Sequence, residues 1–392
     1  MEPKIRFKGF EGEWKEYSLE NCVTFLDSMR KPIEEGERIK GIFPYYGASG
    51  IVDYINNYIF DEELILLSED GANITDRNYP ICFLASGKYW VNNHAHVLKA
   101  KEGFVNPFLC NAMERKDYTQ YNTGMAMPKL NKEVCKQIPV LHPSIQEQQK
   151  IASYFTTLDS QISVSTSRLA SLKQMKAASL QAMFPQEGET VPKVRFKGFE
   201  GEWKKVKLGE CLEISKERNI NDEFGINEVL SVSDEEGVMN QIKLLGRSYA
   251  GKSVTNYKVL RTNQVVYTKS PLKAKPYGIV KVNKGETGIV SVLYAVYDAK
   301  DGINPDYIHY YFEPTFRINN YLLPLINKGA KNTMNISDEV SLLGNIMIPK
   351  TIAEQQAIAN YFTSLDHQIT LQTQRLEKLK QIKSACLEKM FV

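Results

Sequence analysis

Hydrophobic positions recur at alternating three- and four-residue intervals in two stretches of the chain. In the first, Phe155, Leu158, Ile162, Leu169, Leu172 and Met183 form the stripe. In the second it is Phe362, Leu365, Ile369, Leu376, Leu379 and Met390. This spacing places the side chains on one face of a helix and predicts a heptad seam. Neither 145–184 nor 352–391 contains Pro or Gly, while Pro143 and Pro349 sit just upstream and Pro185 just downstream of the first. Two helices of about forty residues, each about 60 Å long, are therefore expected. Ser165, Lys176, Gln372 and Lys383 fall on seam positions, so the stripe is imperfect. A stripe of that length needs a partner, and each helix is the natural partner of the other, in antiparallel sense.

The helices are also copies. Residues 145–184 and 352–391 share 24 of 40 positions at an offset of 207. Residues 3–22 and 192–211 share 14 of 20 positions at an offset of 189. Between these blocks the two halves show little likeness. There, short runs rich in β-branched and aromatic residues predict strands: 51–55, 63–67, 89–91 and 96–98 in the first half, and 264–267, 279–282 and 289–297 in the second. Residues 306–312 read as a helix, and Gly47–Gly50 as a turn. The expected architecture is α+β: two globular mixed domains separated by a pair of long helices in an antiparallel coiled coil, in a pseudo-twofold arrangement. The boundaries are 1–144 (first domain), 145–184 (first long helix), 185–192 (linker), 193–351 (second domain) and 352–392 (second long helix).

Composition narrows the function. The 392 residues carry 49 basic and 46 acidic side chains, a net charge of +3, which excludes a histone-like polycation. The six cysteines form no CxxC pair, so reduced, mostly buried thiols are expected. The first residues, MEPKIR, carry charges where a secretory signal needs an apolar run. No apolar run is long enough for a membrane span. A cytoplasmic location is expected.

Charge is informative only locally. Residues 252–284 carry eight basic groups and no acid, with Tyr257, Tyr267 and Tyr277 interleaved. Residues 77–101 carry four basic groups, again without acid, among Tyr89, Trp90, Asn92, Asn93, His94 and His96. Basic groups attract phosphate, and amides or Arg can read base edges. The candidate DNA contacts are Lys88, Tyr89, Asn92, Asn93 and His94 in the first half. In the second half they are Lys252, Lys269, Lys273, Lys275 and Tyr277. His94 and His96 have no third ligand in register, and no metal site is expected. GRSYAGKS (246–253) fits the phosphate-loop pattern, which gives an alternative reading as an ATP-dependent enzyme. Its flanks speak against that reading: no buried strand precedes it, and a β-branched, turn-like segment follows.

The blocks RFKGFEGEW (6–14 and 195–203) and EQQxIAxYFTxLDxQI (147–162 and 354–369) resemble the specificity subunit of type I restriction–modification systems. So do GASGIVDYI (47–55), GKYWVNNHAHVL (87–98), NYKVLRTNQVVYTK (256–269) and GIVSVLYAVY (288–297). The resemblance implies a non-catalytic subunit whose two target-recognition domains each read half of a bipartite, asymmetric site in double-stranded DNA. The helices would set the unread spacer. It also implies partners: two modification (methyltransferase) subunits using S-adenosylmethionine, and ATP/Mg-driven restriction subunits, with no cofactor on this chain. The outer faces of the helices near Arg168, Lys173, Arg375 and Lys380 are the candidate docking positions for those subunits. The resemblance carries over no base-contacting residue, because recognition domains differ between members.

Overall fold

The computed structural model describes residues 2–251, 253–270, 272, 275–328 and 334–391. Two compact units are present. The first comprises Met1–Ser167 with Thr373–Val392, the second Arg168–Gln372. Each therefore contains the start of one long helix and the end of the other.

The long helices are Ile145–Ala182 and Ile352–Met390. Each starts with the same device. The hydroxyl of Ser144 accepts from the Glu147 N–H at 3.4 Å, and that of Thr351 from the Glu354 N–H at 3.3 Å. These are the first and fourth residues of S/T-x-x-E, an N-terminal capping sequence. The Glu carboxylates, however, turn to another partner. Arg6 grips Glu147 through two parallel bonds of 2.7 and 2.8 Å, and donates to the Gly12 and Glu11 carbonyls. Arg195 repeats this on Glu354 at 2.7 and 2.8 Å, with the Gly201 and Glu200 carbonyls behind it. Both glutamates are almost fully buried. The repeated RFKGFEGEW thus folds as a clasp on the repeated EQQ. A buried carboxylate is tolerated only when paired in this way, and a bidentate arginine pairs it best.

Within each unit the two helix segments run antiparallel, and the contacts repeat. In the first unit the Tyr154 hydroxyl lies 3.4 Å from Cys386 Sγ, and Lys383 meets Asp159 at 2.5 Å. In the second unit Ser179 meets the Tyr361 hydroxyl at 3.0 Å, and Lys176 meets Asp366 at 2.6 Å. The seam lysines are thereby answered by the aspartates of the repeated LD. Lys176 also meets Glu313 at 2.5 Å, a bond its counterpart Lys383 does not repeat among the described contacts. The Met-Phe that closes each repeat enters a core. Phe391 packs on Trp14, Phe108 and Phe155 in the first unit. Phe184 packs on Trp203, Tyr307 and Phe362 in the second.

The segments that look unlike in sequence share a strand order. The first unit holds an antiparallel sheet ordered Val23–Phe25, Ala95–Ala100, Leu64–Ser68, Cys82–Ala85. The second holds Leu212–Ile214, Tyr294–Ala299, Val265–Thr268, Ile279–Val282 in the same order and sense. Leu64–Ser68 and Val265–Thr268 are buried along their whole length, which their runs LILLS and VVYT anticipate. A two-stranded clip joins Lys15–Ser18 to Pro139–His142 in one unit and Lys204–Lys207 to Asn345–Ile348 in the other. The helices Asn106–Glu114 and Pro305–Phe312 occupy equivalent places in the chain order. Each unit adds a hairpin, Lys40–Gly47 with Gly50–Ile55 in the first and Leu230–Ser233 with Gly237–Asn240 in the second. The run 289–297 departs from expectation. It forms two strands, Gly288–Val290 and Tyr294–Ala299, because a turn closes at Ser291, whose carbonyl accepts the Tyr294 N–H.

The six cysteines are free thiols, five of them buried. Among the described residues no helix is long and apolar enough to cross a membrane.

Candidate nucleic-acid interface

The structure sorts the basic candidates by what surrounds them. In the first unit, Lys88 opens the strand Lys88–Val91 and is exposed, with its ammonium 4.7 Å from the centre of the Tyr58 ring. Tyr89, next along the strand, points the other way, as strand alternation requires. It is fully buried, stacked on Phe60 at 5.5 Å and edge-on to Tyr46 at 5.5 Å. Burial raises its hydroxyl pKa well above the usual tyrosine range. Asn92 is buried too, its side-chain oxygen accepting the His94 N–H at 2.8 Å. Tyr89 and Asn92 therefore build the fold. Asn93 and His94 face solvent, His94 with Nδ1 at 2.9 Å from Asp70.

His94 and His96 do not act together. His96 is buried, with Nδ1 at 2.8 Å from Asp27 and Nε2 at 2.7 Å from the Leu130 carbonyl. Burial opposes its positive charge. The Asp27 carboxylate and the Cys135 thiol outweigh burial and raise its pKa to about 10. The ring is an imidazolium whose two N–H groups both donate. Among the described residues no group of three or more His, Cys, Asp or Glu is placed to hold a metal ion.

In the second unit the absence of acids along the chain is not an absence in space. Lys258 and Lys269 both ion-pair with Asp338, Lys269 at 2.8 Å. Burial alone would raise the Asp338 pKa, but the two lysines hold it below the usual carboxylate range. Lys275 meets Asp234 at 2.7 Å and the Glu313 carbonyl at 3.0 Å, and is buried. Tyr277 is half-buried, its carbonyl accepting the Tyr267 hydroxyl. Lys269, Lys275 and Tyr277 are thus tied into the unit. Lys252 and Lys273 lie outside the described residues.

Gly246–Ser253 does not have the setting of a phosphate loop. Such a loop leads from a strand into a helix. Here Gly246, at φ 77°, closes the helix Gln241–Leu245, and the chain continues to the strand Lys258–Leu260. Arg168, Lys173, Arg375 and Lys380 are all exposed on the long helices, Lys380 with Glu377 at 3.0 Å.

Two copies of one strand order, each clasped to a long helix by the same Arg–Glu pair, match a known pattern. The family model for the type I restriction modification DNA specificity domain matches residues 11–174 and again 200–381. The chain belongs to the type I restriction–modification specificity family. A Haemophilus influenzae protein whose name places it among type I restriction enzyme specificity subunits is 35% identical over 151 residues, 38% of each chain. A type I restriction enzyme specificity subunit of Methanocaldococcus jannaschii is 21% identical over 218 residues, 52% of this chain and 50% of the relative. The matches to these specificity subunits thus span half or less of the relatives' length. Among solved structures, a type I restriction–modification S subunit from M. genitalium superposes with a TM-score of 0.68 at 11% identity, covering 100% of this chain and 99% of that one. That likeness carries the fold of the specificity family.

Proposed function

We propose that this chain is the non-catalytic, sequence-reading subunit of a type I restriction–modification complex. Each unit reads one half of a bipartite, asymmetric site in double-stranded DNA. Two methyltransferase subunits using S-adenosylmethionine, and restriction subunits using ATP and Mg²⁺, supply the chemistry. They dock on the helix faces near Arg168, Lys173, Arg375 and Lys380. The supporting observation is the contrast between frame and surface. The two units share a strand order and the Arg–Glu clasp, yet their intervening sequences show little likeness. Two heads of one build with unlike surfaces suit two unlike half-sites. The paired helices then fix the unread spacer between them.

Co-expression with methyltransferase subunits, followed by sequencing of methylated adenines, tests this. The expected map is one bipartite motif. Exchanging residues 19–142 for those of another family member should change one half and leave the other. Deleting one heptad from both long helices should shorten the spacer. A map with no motif, or one in which the exchange alters both halves, would overturn the proposal.

A further inference from the structure

Residues 237–285 contain no acid, a longer run than the stretch that starts at 252, and carry ten basic side chains. Eight of these are among the described residues. Six are met by acids from outside the run: Lys258 and Lys269 by Asp338, Lys275 and Lys281 by Asp234, Arg261 by Glu217 and Lys284 by Asp306. Lys243 and Arg247 remain. Both are exposed, and no acidic partner is placed on either among the described residues. They lie together on the helix Gln241–Leu245 and the loop that follows it.

That loop is held from within. The Asn240 side chain accepts the N–H groups of Ile242 and Lys243 at 3.0 and 3.2 Å. Gly246 turns the chain at a positive φ, and its N–H donates to the Ile242 carbonyl at 2.8 Å. The Gln241 side-chain oxygen accepts the Tyr249 N–H at 2.7 Å and the Ser248 hydroxyl at 3.2 Å. On this fixed backbone Leu245, Arg247 and Tyr249 stand in solvent. The Arg247 guanidinium lies 4.6 Å from the centre of the Tyr249 ring. Stacking orients a planar fork of N–H donors and leaves its edge free, so little side-chain entropy is lost when it meets a planar pair of acceptors.

The first unit has a counterpart at the same place in the chain order. There too the segment directly after the second hairpin strand carries an exposed tyrosine, Tyr58, covered by a cation, Lys88, at 4.7 Å. Two units of unlike sequence thus each expose a tyrosine covered by a cation after a hairpin, the cation coming from the strand Lys88–Val91 in the first and from the same loop in the second.

We propose that Arg247, oriented by Tyr249, reads a base pair in the half-site of the second unit, with Lys243 on a neighbouring phosphate. An arginine fork matches the O6 and N7 acceptors of guanine in the major groove, whereas a lysine on phosphate carries no sequence information. The inference rests on the DNA-reading function proposed above.

The test is selection of the full-length chain, co-expressed with its methyltransferase subunits, on duplexes with randomised half-sites. The wild-type protein is compared with R247A, R247K, Y249A and K243A. R247A should lose discrimination at one base-pair position of one half-site, on the order of ten- to a hundredfold. R247K should lose most of it despite keeping the charge. Y249A should lose part. K243A should weaken all sequences alike and lower the salt dependence of binding. Circular dichroism and thermal melting of each variant show that the fold is kept. If the wild-type protein selects no sequence, the proposed function itself fails. If it selects a bipartite motif and R247A selects the same motif with equal discrimination, only this inference fails. A uniform loss in R247A also overturns it, because Arg247 would then be a phosphate contact.

Discussion

Replacing Phe391 by alanine removes a ring that is 6% exposed and packed against Trp14, Phe108 and Phe155, at centroid distances of 6.2, 5.5 and 5.7 Å. A phenylalanine buries roughly 150–250 Å². At about 25 cal/mol per Å², the lost transfer term is about 4–6 kcal/mol as an upper bound. The cavity left among three rigid rings adds to it, while partial collapse subtracts. The expected loss is therefore about 3–5 kcal/mol, the usual cost of Phe→Ala in a core. That is a large share of a typical domain stability of about 5–15 kcal/mol. Hydrogen exchange followed by mass spectrometry is the suitable assay, because it localises the effect. Protection should fall in Leu64–Ser68 and Ala95–Ala100 of the first unit and hold in Val265–Thr268 of the second. Phe184→Ala should give the reverse map. A loss under about 1 kcal/mol would refute the argument. So would equal loss of protection in both sheets under F391A, because the ring would then not be a private part of the first core.

Three further outcomes follow from the charges. Because the folded-state pKa of His96 is raised from 6.5 to about 10, its contribution is complete below about pH 6.5 and lost as pH rises towards 10. The first unit should weaken over that window in urea titrations, and His96→Gln should flatten the slope. Removing one partner of the buried clasp, Arg195→Ala, leaves Glu354 buried and uncompensated and should cost about 3–5 kcal/mol in chemical denaturation. The two seam lysines should differ. Lys383→Ala breaks a half-exposed pair with Asp159 and should cost less than about 1 kcal/mol. Lys176→Ala strands two carboxylates, Glu313 and Asp366, around a half-buried position and should cost more in the same melts.

The frame was legible because repetition and periodicity are local signals. The heptad stripe, with the repeat and prolines that frame it, located both long helices to within two residues of their ends, and each run read as a strand fell on one, while strands such as Val23–Phe25 and Lys40–Gly47 went unread. The strand order shared by the two units was not legible. A core accepts many apolar sequences of similar volume, so the same sheet can be built from LILLS or VVYT without alignable letters. The candidate contacts fared unevenly for another reason. Acid-free sequence says nothing about carboxylates from distant segments, and Asp338 and Asp234 pair with four of the eight basic groups of 252–284. Tyr89 and Asn92 were hidden by strand alternation and by a turn. Lys243, Arg247 and Tyr249 left a faint trace, since the acid-free run begins at Gly237 rather than at 252.

The interleaving of the units has a consequence for synthesis on the ribosome. Residues 168–372 are continuous, so the second unit holds all its parts before the last stretch is made. The first unit begins the chain, yet Phe391 supplies one wall of its core. Its emerging sheet must wait, incompletely covered, through the translation of more than two hundred intervening residues. The half that leads in the message is thus the half that is finished last, and its exposed apolar face during that interval is where a chaperone would be most needed.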